Sequence, residues 1–532
     1  MQIETLGTAL IKKLEQYEVK FVFGIPGVHT VELYRGLSNA KIRHITPRHE
    51  QSAGFMADGY ARITGKPGVC LVISGPGVTN ILTAMAQARS DSIPMLVISG
   101  VNNEYDLVRK KAPLHSLPDQ SALVRQIALD SFTISDTSDL TPTIDSAFDR
   151  MNRARPGPVH IQIPIQLMAK PFNCDIQNFS TEKISNSYDT LPSNEIQMYL
   201  NESSKPTIII GGGARNAKDI IPKVAESLSA PVISTTNARD ILGYHRLHLP
   251  ASPSLKNVRE IISDSDLVIA IGTEMSSTDF DFFEDNLFPQ INRLLRVDID
   301  SAQLTSLSKN TLNIECDSKV FCKKFLELIP PRTSSRGRKI IESTERLIKQ
   351  EMREDYANFI SVIDCITEIM PNAIIVGDST QITYAGNFYC QITRDNRWFN
   401  SATGFGTLGY APAASIGAKL AASHQPVICI VGDGGIQFCL SELGTAIDEG
   451  LAVIFLIWNN KEYREIRTFM EEKRIKPIGT DPTPPNFELL AESFNVKYQK
   501  ADSHKELKDE LRKSRSISKP IVIEIFEDAY RY

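Results

Sequence analysis

The stretch VICIVGDGGIQFCLSELGTAIDEGLAVIFLIWNN, residues 427–460, sets two apolar runs of strand length around one segment of helical spacing. VICIV reads as a buried strand, and Asp433 stands between glycines where that strand stops. The following apolar residues recur at helical intervals up to Gly450, a helix terminator, after which AVIFLIW forms a second strand pattern ending in Asn459 and Asn460. A strand–helix–strand unit crosses over right-handedly, so the two strand ends are near neighbours on one edge of a parallel sheet. Open α/β sheets bind ligands at that edge. Asp433 and Asn460 therefore offer two hard oxygen ligands, and the following loop adds a carbonyl. That set suits an ion of magnesium size that also takes oxygens from a phosphate. Gly434 and Gly435 let main-chain N–H groups approach that phosphate.

The same alternation runs through all 532 residues: FVFGI, VCLVIS, MLVIS, then TIIIGGG, PVIST, LVIAIGT, LLRVDID, then AIIVGD, VICIVGD, AVIFLIW and PIVIEIF, separated by helix-length segments. Short buried strands between helices predict an α/β protein of doubly wound parallel sheets. Two polar stretches, about 171–205 and 330–342, read as linkers and divide the chain into domains at 1–170, 190–330 and 345–532. A hydrophobic content of 42% and a net charge of −5 predict a globular protein without a basic face for nucleic acid or membrane. The first residues, MQIETLGTALIKKLEQY, have neither a signal-peptide core nor transit composition, which predicts a cytoplasmic protein. The eight cysteines show no CxxC spacing and read as reduced core thiols.

Asp433 in GDG followed by NN at 459–460 resembles the thiamin-diphosphate (ThDP) signature of the pyruvate decarboxylase and acetolactate synthase superfamily. The resemblance extends over essentially the whole chain. It implies a pyrimidine-binding first domain, a central Rossmann-like domain and a diphosphate-binding third domain. It implies that Asp433, Asn460 and the main-chain carbonyl of Glu462 hold Mg²⁺, which holds the cofactor's diphosphate. ThDP acts after its C2 loses a proton, and its own aminopyrimidine assists when a carboxyl group bonds to N1′. TPRHEQSAGFMADGYAR, residues 46–62, resembles the family segment that supplies this carboxyl, which makes it Glu50. In SATGFGTLGYAPAASIGAKLA, residues 401–421, the carbonyl of Gly406 matches the acceptor for the 4′-amino group. Leu408 in the same segment matches the apolar wedge that bends the cofactor. IIVGDSTQITYAG, residues 374–386, resembles the diphosphate loop and makes Gln381 a cofactor contact. In the family the first and third domains that form one site belong to different subunits, so a homodimer or homotetramer is implied.

Related enzymes either protonate the decarboxylated substrate, giving an aldehyde, or join it to a second carbonyl, and fold alone does not choose between them. Val28 and His29 in FGIPGVHTVEL resemble the Gly-x-His of benzaldehyde lyase and the 2-ketoarginine decarboxylases, and His115 in APLHSLPDQ stands in a second matched segment. Two imidazoles able to carry protons near neutral pH favour the aldehyde. The pattern GIPGVHTVELYRGL, TPRHEQ, LHSLPDQ, SATGFGTLGY and NNKEYREI looks most like the bacterial 5-guanidino-2-oxopentanoate (2-ketoarginine) decarboxylases. A guanidinium substrate asks for a carboxylate partner, for which Glu465 is the candidate, and Phe469 falls near a side chain shaping the second-substrate pocket in acetolactate synthases. A carboligating, acetolactate-synthase-like enzyme is the alternative, and a binding protein on a decayed ThDP fold is a third reading. In TIIIGGGARNA, residues 207–217, Asn216 replaces the third glycine of GxGxxG, which weighs against FAD but leaves it an alternative.

Overall fold

A computed structural model of the protein describes residues 4–102, 113–153, 155–173, 191–281, 286–330, 334–392 and 397–530. Among the described residues, eighteen strands form three parallel sheets of six. The first contains β1 (Phe21–Gly24), β2 (Arg43–Ile45), β3 (Gly68–Val72), β4 (Met95–Val101), β5 (Asp130–Thr133) and β6 (Pro158–Pro164). The second contains β7 (Pro206–Ile210), β8 (Val232–Ser234), β9 (His248–Leu249), β10 (Leu267–Ile271), β11 (Leu294–Asp298) and β12 (Thr311–Glu315). The third contains β13 (Ile374–Gly377), β14 (Arg397–Asn400), β15 (Val427–Gly432), β16 (Val453–Asn459), β17 (Lys497–Ala501) and β18 (Ile521–Phe526).

The first sheet is ordered β2-β1-β3-β4-β6-β5 and the third β14-β13-β15-β16-β18-β17, which is the same winding twice. The strand order reverses between β1 and β3 in one and between β13 and β15 in the other, and the ends of these strands form the binding crevices of such sheets. The middle sheet, β9-β8-β7-β10-β11-β12, has the Rossmann order, with its reversal between β7 and β10. There the glycines expected to face a dinucleotide face each other. A Cβ on Gly211 would lie 2.2 Å from the Gly272 carbonyl oxygen, and one on Gly213 would lie 3.0 Å from the Gly272 Cα. The glycine-rich turn thus serves close packing of the β7 and β10 loops.

The outer domains share one core. Helix Glu50–Thr64, buried along most of its length, lies antiparallel against helix Tyr410–Ala421. Small residues bring the backbones together: a Cβ on Gly59 would lie 2.0 Å from the Ala414 carbonyl oxygen, and one on Gly417 1.9 Å from that of Met56. A buried charge cluster closes one end of the contact. Asp58 accepts from Arg62 Nε at 2.6 Å and from the Tyr410 hydroxyl, and Arg62 Nη2 reaches Asp91 at 2.6 Å. Asp91 also accepts from Gln87 at 2.8 Å, Thr403 at 3.1 Å and Asn237 of the middle domain at 3.1 Å, so all three domains meet there.

Three local expectations change. Residues 330–342 are not all linker, because helix Arg336–Glu351 packs on the middle sheet. Gly337 N donates to the Ser229 carbonyl at 3.1 Å, so a boundary at 345 falls inside a helix of the central unit. The other polar stretch contains helix Ser193–Asn201, anchored by buried Ile196 and Leu200, while Cys174 lies outside the described residues. The helix expected between Asp433 and Gly450 divides into Asp433–Ile436 and Glu442–Asp448, closed by Gly450 at φ +61°. The break lets buried Glu442 accept from Arg48 N at 3.0 Å and from Thr445 at 2.7 Å.

Gly417→Ala places its methyl group inside the Met56 carbonyl contact, so the helices must separate. Urea unfolding of this variant is expected to show a loss of about 1–3 kcal/mol.

Candidate active site

The first half-site gathers around the turn Ser74–Gly77, which leaves β3 and opens helix Pro76–Ser90. His29 follows β1 across the crevice, and its Nδ1 lies 2.5 Å from Ser74 Oγ. Next to Ser74, Gly75 (φ +64°) has its N–H bonded to Gln120 Oε1 at 3.1 Å. Any Cβ on Gly75 would fall 2.5 Å from the His115 carbonyl oxygen. His115 itself is in the left-handed region at φ +59°, and its buried Nδ1 has no hydrogen-bond partner. The His29 and His115 rings meet edge to face with centroids 5.1 Å apart. Burial, and secondarily the neighbouring His115, lower the pKa of His29 below the ordinary 6.5. Glu50 begins its helix, capped by His49, and is 9% exposed. Its Oε2 accepts from Asn80 Nδ2 at 2.9 Å, and its Oε1 would lie 3.6 Å from a Cβ on Gly77. Both histidines and Glu50 thus border one turn.

The second half-site lies at the ends of β13, β15 and β16. Two carboxylates there are pushed up to about 6 by burial, and they differ in how they are satisfied. Asp378 accepts main-chain N–H bonds from Ser379, Gly409 and Ala411 at 3.0, 3.2 and 2.9 Å, which holds the turn before helix Tyr410–Ala421. Asp433, 2% exposed, accepts from Asn460 N at 3.4 Å through Oδ1, while its buried Oδ2 has no hydrogen-bond partner. A buried oxygen of this kind calls for a cation or a proton. Asn460 donates through Nδ2 to Gln381 Oε1 at 2.9 Å and accepts through Oδ1 from Glu462 N at 3.1 Å. The Glu462 carboxylate is held by Arg464 at 2.5 Å and by Arg467, so the residue has its main-chain carbonyl to offer. One carboxylate, one carboxamide and a carbonyl fit a hard cation. Among the described residues no group of three or more His, Cys, Asp and Glu side chains forms a metal site.

The glycines after Asp433 have a packing reason as well. A Cβ on Gly434 would meet the Tyr463 ring at 2.4 Å, and one on Gly435 would lie 3.1 Å from Asp378 Oδ1. Gly406 is exposed at φ +73°, and Leu408 is half-buried. Thr403 and Thr407 on either side are bonded to Gln87, at 3.0 Å each. Phe405 and Phe438 are 50% and 56% exposed beside this loop, and Val28 and Phe469 are 66% and 41% exposed. Glu465 lines a cleft of about 330 Å³ with Arg353, Gln381, Trp458 and Glu527. Burial raises its pKa, while Arg353 and a hydrogen bond from Gln381 oppose the rise. A substrate guanidinium would have to displace those partners.

Within one chain the two halves do not meet. Glu50 stands at the start of its helix, whereas Gly406 and Leu408 adjoin the far end, beside Asp58, Gln87 and Asp91. Eight to twelve helical residues separate these levels, a distance on the order of 15 Å. Sequence reading passed over Ser74 and Asn80, which act through the distant residues His29 and Glu50 and stand in no site motif. It gave no role to Gln120 and Phe438, which lie inside the segments APLHSLPDQ and VICIVGDGGIQF.

Three family profiles match in chain order. They are the thiamine pyrophosphate enzyme N-terminal TPP binding domain over residues 4–123, the central domain over 193–325, and the C-terminal TPP binding domain over 378–525. The chain is 36% identical to a probable 2-ketoarginine decarboxylase of Pseudomonas aeruginosa, over 98% of this chain and 94% of the other. It is 29% identical to a probable acetolactate synthase large subunit of Methanococcus aeolicus, over 98% and 91% of the two chains. A further relative, the acetolactate synthase isozyme 1 large subunit of Escherichia coli, is 28% identical over 92% and 87%. Three domains in this order and similarity over nearly the full length make the chain a member of the thiamine pyrophosphate (thiamin diphosphate) enzyme family.

Proposed function

We propose that the protein is a cytoplasmic ThDP- and Mg²⁺-dependent decarboxylase that converts a 2-oxo acid to the aldehyde one carbon shorter, with 5-guanidino-2-oxopentanoate as substrate. The 36% identity to a probable 2-ketoarginine decarboxylase supports this substrate. The observation that carries the reaction type is the contact of His29 with His115 on the turn that also borders Glu50.

ThDP supplies, when bound, the carbon nucleophile and electron sink for loss of CO₂. Asp433, Asn460 and the Glu462 carbonyl would hold Mg²⁺ and through it the diphosphate. Glu50, oriented by Asn80, would hold a proton at the pyrimidine N1′. Burial lowers the pKa of His29, so its imidazolium gives up a proton readily, and with His115 it would carry a proton to the substrate carbon that CO₂ has left. The exposed apolar residues Val28, Phe405, Phe438 and Phe469, with half-buried Leu408, would exclude water once the two halves close over the substrate, so that the proton comes from the histidines. The separation of the halves within one chain supports a homodimer, or two such dimers, in which Glu50 of one subunit serves the Asp433 half of the other. Among the described residues no helix is long and apolar enough to cross a membrane, and the described cysteines are buried and free, in keeping with the proposed location.

Incubation with ThDP, Mg²⁺ and a panel of 2-oxo acids is expected to release 4-guanidinobutanal from the guanidino acid. Acetolactate from pyruvate as the main product would favour the carboligating alternative, to which the similarity to acetolactate synthases points. Co-expression of Glu50→Gln with Asp433→Ala chains, each inactive alone, is expected to restore about a quarter of wild-type activity, because half the dimers carry one intact site of two. A site built within one chain would give no recovery. NMR of histidine-labelled protein is expected to place the His29 titration below 6.5, and His115→Asn should move it upward by removing a neighbouring charge.

A further inference from the structure

The metal ligand Asn460 has a carboxamide whose two ends match in shape and oppose in chemistry. One end accepts and can bind a cation, while the other donates and repels it. Something must choose between them. Trp458, next to last in β16, is 1% exposed, and its indole is fixed edge-on by Phe359 at 5.4 Å and Tyr530 at 6.2 Å. Its Nε1 donates to Gln381 Oε1 at 2.9 Å. An indole N–H can only donate, so Gln381 must present its oxygen there.

That orientation passes to the ligand. The Gln381 oxygen also receives Asn460 Nδ2 at 2.9 Å, so Asn460 Oδ1 must face the other way, toward Glu462 N at 3.1 Å. Asp433 is bonded to the main chain of the same residue, and its Oδ2 is the buried oxygen without a partner. A reversed Asn460 would set its oxygen against that of Gln381 and its NH₂ against the Glu462 N–H. We infer that Trp458 and Gln381 are positioning residues that lock the Asn460 carboxamide with its oxygen toward the cation. Gln381 then acts on the metal through Asn460, beyond the cofactor contact expected of it. The inference rests on the reading of Asp433 and Asn460 as Mg²⁺ ligands.

Calorimetric titration of Mg²⁺ into the protein with saturating ThDP tests it without relying on turnover. Gln381→Leu and Trp458→Phe are each expected to weaken Mg²⁺ about 10- to 100-fold, the usual effect of losing a group that orients a metal ligand. A carboxylate has an oxygen at both ends and needs no orienting. In an Asn460→Asp background, Gln381→Leu should therefore leave Mg²⁺ affinity unchanged or tighter. An equal loss in both backgrounds would overturn the lock and leave Gln381 as a direct cofactor contact, as would an undiminished affinity in the single variants. The metal reading fails separately, if Asp433→Ala and Asn460→Ala bind Mg²⁺ as the wild type does. Melting of the cofactor-free variants checks that the fold survives.

Discussion

The antiparallel packing of helix Glu50–Thr64 on helix Tyr410–Ala421 is the contact on which the rest of the molecule depends. Gly59 and Gly417 let the backbones touch, and the chain leaves no room for a side chain at either crossing. The pair is then fixed lengthwise by the buried cluster of Asp58, Arg62, Asp91 and Tyr410, in which Arg62 bridges the two aspartates and the Tyr410 hydroxyl donates to Asp58. A helix held this rigidly cannot slide, so Glu50 stays at one end and the loop of Gly406 and Leu408 at the other. The same contact that builds the core of the chain therefore separates its two half-sites.

Burial acts differently on the carboxylates that line the third sheet. Asp378 and Asp433 are both pushed up to about 6 by desolvation, so a shifted acidity alone would not distinguish them. Their hydrogen bonds do. Asp378 spends its oxygens on three main-chain N–H groups and so shapes the turn, whereas Asp433 keeps one buried oxygen unmatched. A buried carboxylate oxygen left without a hydrogen bond at the end of a strand is free to take a cation.

Much of this could be read from sequence, and what could not has a common cause. The eleven strands evident as Val- and Ile-rich runs are interior strands of the three sheets. The six edge strands, β2, β5, β9, β12, β14 and β17, escaped notice because they are short, and most of them half-exposed, as in KYQKA of β17. The seventh, β6, is interior but is interrupted by His160, whose buried ring is satisfied by Ser99 and Ser131 at 2.8 Å each. In the site, Glu50, Asp433 and Asn460 were legible because they sit in local motifs at strand or helix ends. The contact of His29 with His115, the hold of Asn80 on Glu50 and the bond from Trp458 to Gln381 join residues far apart in the chain, and no local pattern encodes them.

The repeated winding of the first and third sheets means that one frame serves two tasks. Equivalent strand ends, those of β1 and β3 in one sheet and of β13 and β15 in the other, open onto the two crevices. With the frames alike, the division of labour between them lies in the few residues that follow those strands.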